Sequence, residues 1–81
     1  MNKFDIIEFN KMQEQGDLLA LDYIEKFLPE NLKELYKIVI ELNYLLYITE
    51  NSNILSEIEP LYILKKNELF NNFLEYIKGE I

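Results

Sequence analysis

The side chains able to do chemistry in this sequence are carboxylates, lysines and tyrosines. Fifteen Asp and Glu residues face eight basic residues, every one of them Lys, and there are six Tyr. His, Cys, Trp and Arg do not occur. Carboxylates alone suit hard cations such as Ca²⁺ or Mg²⁺, whereas zinc sites draw on Cys and His. No D-x-[DN]-x-[DN]-G loop is present, so an EF-hand is excluded, and a Glu-x-x-His di-iron site cannot be built without His. Without Cys there is no thiolate nucleophile, and without His the side chain that titrates nearest neutral pH is missing. Two Ser, one Thr and two Gly leave little for a hydroxyl nucleophile or a phosphate-cradling loop. Lacking Arg, the chain has no bidentate fork for phosphate. These absences predict a protein that is not an enzyme, with no catalytic residue, no metal and no cofactor.

What the carboxylates could do is bind a partner. A net charge of −7 and a pI near 4.4 oppose nucleic acid and anionic membranes, both of which need a basic footprint. They favour a partner protein with a basic surface. Acidic residues are locally dense at Glu14, Asp17, Asp22 and Glu25, and Glu34 and Glu41 add to them. One use of such a surface is nucleic-acid mimicry, with carboxylates standing in for phosphates. The plainer account is a solvated acidic face. Lys65-Lys66 is the only adjacent basic pair and is too small for a nucleic-acid patch.

Tyrosine supplies the other candidate contacts, because it brings large area at low entropic cost and keeps a polar tip. Tyr36, Tyr44 and Tyr47 lie along one segment that is apolar nearly all round from Leu42 to Ile48. Such a helix is buried on every side, either as the central helix wrapped by the rest of the chain or by another chain covering part of it. Phe27, Phe70 and Phe73 read as core.

The elements that must position these residues are helices. Eighty-one residues make one domain spanning 1–81, with 49% hydrophobic and 14% aromatic residues as core material. A first helix is predicted from about Lys3 to Gln15, with Gly16 as its left-handed C′ residue and Asp17 capping the next. The second runs from Leu18 to about Leu28 and Pro29 ends it. The third, Glu30 to Thr49, carries Leu32, Leu35, Val39, Leu42 and Leu46 at alternating steps of three and four. Glu50-Asn51-Ser52-Asn53 reads as a loop.

A fourth helix is predicted to begin between Ile54 and Pro60. Ser56-Glu57-Ile58-Glu59 matches a capping box, and Pro60 is tolerated near a helix start. It runs to Lys78, or breaks at Lys65–Glu68, with Gly79 as the stop. A competing pattern puts a short strand at Leu61–Leu64. The expected fold is an all-α, compact three- or four-helix bundle with its central helix at approximately 30–49.

The N-terminus lacks an apolar h-region and no stretch is long enough to span a bilayer, which predicts a cytoplasmic protein. Bias to Ile, Lys, Asn and Glu fits an AT-rich coding sequence, as in low-GC bacteria and their phages. The expected function is a small acidic, stoichiometric inhibitor, immunity or counter-defence protein of phage or plasmid character that blocks a partner sterically. The alternative is a structural subunit, either a homodimer or a component of a larger assembly.

Overall fold

The computed structural model describes residues 3–49 and 52–80, and every regular element among them is a helix: α1 (Ile6–Gln15), α2 (Asp17–Glu25), α3 (Glu30–Ile48) and α4 (Ser52–Glu80). α1 packs chiefly on α2, and α3 chiefly on α4. The result is an all-α bundle of two helical hairpins, with the short pair laid against the long one.

α1 starts at Ile6 rather than Lys3 because Asp5 is its N-cap. The Asp5 backbone is extended, and its carboxylate accepts hydrogen bonds from the Ile7 N–H at 2.9 Å and the Glu8 N–H at 3.4 Å. Two donors that the first turn leaves open are thereby satisfied. Phe4, freed from the helix, sits among Phe9, Tyr23, Phe27 and Phe73, with ring centroids 4.9–5.8 Å away. The Asp5 N–H donates to the Tyr23 hydroxyl at 3.0 Å, tying the start of α1 to α2.

Gly16 is not left-handed. At φ 164 and ψ 143 it is extended, and it serves as the N-cap of α2. Asp17 is therefore the first residue of α2 instead of its cap, and its carboxylate pairs with Lys66 on α4. α2 ends at Glu25, three residues before the expected Leu28. Its last bonds, Phe27 N–H to Ile24 O and Leu28 N–H to Glu25 O, tighten to three-residue steps. Leu28 precedes Pro29, whose ring disfavours helical backbone there.

The α3 stripe packs as its spacing predicts. Leu32, Val39 and Leu42 are buried, with Leu35 and Leu46 partly so. α4 differs most from expectation. It is one helix of 29 residues, about 43 Å long at 1.5 Å per residue. Leu61–Leu64 is helical and not a strand, and the chain passes through Lys65–Glu68 without a break. Those polar residues are absorbed by the fold: Lys65 lies 3.6 Å from Glu68, while Lys66 reaches Asp17 and stands over the Tyr62 ring.

Pro60 is the ninth residue of α4, where it brings no N–H to the Ser56 carbonyl. Ser56 is interior as well, and its hydroxyl donates back to the Asn53 carbonyl at 2.8 Å instead of capping a helix start. Contacts of Ile58 and Tyr62 with the core hold α4 together across the proline. Of the expected loop, Ser52 and Asn53 are helical, and Glu50 and Asn51 lie outside the described residues. Gly79 continues the helix.

The core lies toward one end of the long hairpin. Phe9, Ala20, Leu21 and Ile24 from the short pair meet Leu32, Val39, Leu69, Phe70 and Phe73 from the long one. Between Leu42 and Tyr62, no described residue is buried. The molecule measures 44 × 25 × 17 Å and exposes 5924 Å². A folded chain of this mass exposes about 5,200 Å². The excess fits a hairpin that outruns its cover.

Candidate functional site

Of the fourteen large hydrophobic side chains exposed among the described residues, nine lie on this hairpin between Ile38 and Leu64. On α3, Tyr47 is 86% exposed, Tyr44 61% and Ile48 52%. On α4, Leu64 is 61% exposed, with Ile54, Leu61 and Ile63 above 40%. The all-round apolar segment of α3 is therefore not wrapped by the rest of the chain. Leu42 is in the core and Leu46 packs against it, while Tyr44, Leu45, Tyr47 and Ile48 stand in solvent.

Helical spacing sorts these residues into faces. α1 and α2 sit on the side of the hairpin marked by Lys66 and Phe70 on α4, where Asp17 and Phe9 meet them. On α3 that side is marked by Tyr36, which lies beside Glu25 and Leu28. At 100° per residue, Ile38 and Leu45 stand about 160–180° from Tyr36. Ile54 and Leu61 stand about 160–180° from Phe70 by the same measure. Two apolar stripes, each with a seven-residue repeat, thus share the face of the hairpin opposite the short pair.

Carboxylates border that face. Glu34 and Glu41 are exposed on α3 and lie about 140–160° from Tyr36; Glu57 and Glu68 are exposed on α4 at about 140–160° from Phe70. The charge pattern along the chain sharpens the border. Residues 38–64 contain Glu41, Glu50, Glu57 and Glu59 and no Lys, so this third of the sequence carries −4 of the net −7.

The other expected contact residues fall elsewhere. Tyr36 is half-buried on the α2 side, where burial first, and then Glu25 and Asp22, push its phenol up to about 12. Glu14, Asp22 and Glu25 are exposed on the short helices, and Asp17 is engaged by Lys66. Glu34 and Glu41 thus share the open side of α3, whereas Tyr44 and Tyr47, exposed near its C-terminal end, stand about 80° and 20° from Tyr36 and so on other sides of the helix. Leu45 and Ile48, from the apolar segment noted above, and Ile38, Ile54, Leu61, Ile63 and Leu64, which the sequence did not single out as contacts, complete the exposed set. For Ile38 with Leu45 and Ile54 with Leu61, the signal was a second seven-residue repeat on each helix, beside the core stripe.

Chemically, the surface offers area, shape and negative charge. Among the described residues no three carboxylates converge as metal ligands, and no helix is long and apolar enough to cross a membrane. The depression beside Pro60, lined by Ser56, Glu59, Ile63, Leu64 and Asn67, is shallow and comes from α4 alone. Small-molecule sites enclose their ligand between several elements. No family model matches this chain, and no curated protein or solved structure is significantly similar to it.

Proposed function

We propose that this protein acts by binding another protein stoichiometrically, through the uncovered face and tip of the α3–α4 hairpin. The observation that carries this reading is the exposure of Tyr44, Leu45, Tyr47, Ile48, Leu61 and Leu64 on one helical hairpin. Monomeric proteins rarely leave so many large apolar side chains of one hairpin in solvent unused, and carboxylates bordering part of them are typical of a docking site. The aromatic core anchors the base of the hairpin and presents the tip as a preformed element, which lowers the ordering cost of association. Tyr47 and Tyr44 serve as anchors, while Glu34, Glu41 and Glu57 steer the encounter toward a basic surface.

In the cell, such a binder blocks a functional groove of its partner, as an inhibitor, immunity protein or counter-defence protein does. Nucleic-acid mimicry is the weaker version. The carboxylates on the open face are interrupted by Ile38, Leu45, Ile54 and Leu61, where a phosphate track would be continuous in charge. Self-association is also weaker, since pairing this face with itself would bring its acidic borders together.

The test is parallel affinity capture from nuclease-treated lysate, using the tagged protein and its Tyr47→Glu and Leu64→Ser variants. The expected result is one stoichiometric partner held by the parent chain and lost by both variants, whose melting temperatures stay unchanged. A partner retained by both folded variants would overturn the reading.

A further inference from the structure

We infer that the occupant of the open face is an amphipathic helix of the partner, with its apolar stripe bordered by Lys and Arg. The inference rests on the docking role proposed above and specifies what docks. Two antiparallel helices leave a seam between them, and a third helix fits such a seam by setting its side-chain ridge into the groove. Here Ile38 and Leu45 stand on one wall and Ile54 and Leu61 on the other, all at least 40% exposed. From Glu34 to Ile48 the wall runs about 21 Å, the length of about four helical turns. The short helices α1 and α2 fill the opposite side, so a docked helix would complete a bundle with this chain at its centre.

Charge selects among helices. Glu34 and Glu41 edge one wall and Glu57 the other, all exposed. Lys65, about 140° from Phe70, lies on the open face beside the seam, away from the acidic edge, and is 3.6 Å from Glu68, while Lys33 is paired with Glu30 on α3. Lys37 lies about 100° round α3 from Tyr36, off the open face. A helix bordered by cations thus meets opposite charge along both edges, whereas a second copy of this chain would present carboxylates to carboxylates.

The probes are three synthetic helical peptides of about eighteen residues with one shared Leu stripe, bordered by Lys, by Gln or by Glu. Each is titrated into the ¹⁵N-labelled full chain, and the amide shifts are mapped. The expected result is shifts confined to residues 34–48 and 54–68, with the Lys-bordered peptide binding roughly tenfold more tightly than the Glu-bordered one. Leu45→Ser with Leu61→Ser should abolish those shifts at an unchanged melting temperature, and Glu34→Lys with Glu41→Lys should invert the preference. Equal affinity for all three peptides on this face would overturn the basic-helix inference and leave the docking role standing. No shift on this face with any peptide, or shifts confined to α1 and α2, would overturn both.

Discussion

Burial separates residues that composition alone treats alike. Phe73 is fully buried and packs edge-on against Phe4 with centroids 4.9 Å apart, whereas Tyr47 is almost entirely in water. Phe73→Ala should therefore cost about 3–5 kcal/mol, read as a lower urea midpoint, because it removes a large apolar group and leaves a cavity. Tyr47→Ala should stay within about 0.5 kcal/mol of the parent in the same measurement. Equal losses for the two would mean that Tyr47 is packed. Tyr36 gives a pH signature. Its phenol is raised to about 12, chiefly by burial and then by Glu25 and Asp22, while in the unfolded chain it titrates near the ordinary 10. Below pH 10 both states keep the proton and the contribution is constant. As pH climbs from about 10 to about 12 the unfolded chain releases its proton first, so stability falls across that window. Tyr62, also raised by burial and by Asp17, adds to the same fall. Tyr36→Phe should flatten part of the loss in alkaline melting curves, and an unchanged slope would remove Tyr36 as a cause.

Helix content was legible from periodicity, as were the end of α1 at Gln15 and both ends of α3 to within one residue, whereas local chemistry and packing moved the start of α1, the end of α2 and the start of α4. The α3 stripe from Leu32 to Leu46 predicted its own packing. Asp5 capped α1 where a start at Lys3 was expected, since the competing benefit was to seat Phe4 in the aromatic cluster. Gly16 does follow the end of α1, though in extended rather than left-handed backbone, while Gly79 lies within α4. In α4, Pro60 and the capping-box pattern pointed to a start that tertiary packing overrode. A proline inside a helix costs about 3 kcal/mol relative to Ala. Pro60→Ala, at an exposed position whose new N–H can reach the Ser56 carbonyl, should raise the urea midpoint by the equivalent of about 1–3 kcal/mol. A lower midpoint would show that Pro60 stabilises α4 where it stands. The proposed docking surface was half legible. Tyr44, Tyr47, Glu34 and Glu41 stand out by type, and Leu45 belongs to the apolar segment from Leu42 to Ile48, but the exposure of Leu61 follows from the short helices covering only one side of the hairpin, which no local pattern shows.

At the scale of the molecule, the short pair buries the base of the hairpin and leaves its far end, between Leu42 and Tyr62, without a buried side chain among the described residues. That asymmetry is the physical basis of the docking proposal: one end holds the fold, and the other is free to meet a partner. The most direct measurement is amide hydrogen exchange on the free chain and on its complex with the captured partner. The account predicts slowed exchange confined to residues 38–48 and 54–64, with α1 and α2 unchanged. Slowing on α1 and α2, with the hairpin exchanging as it does in the free chain, would contradict it.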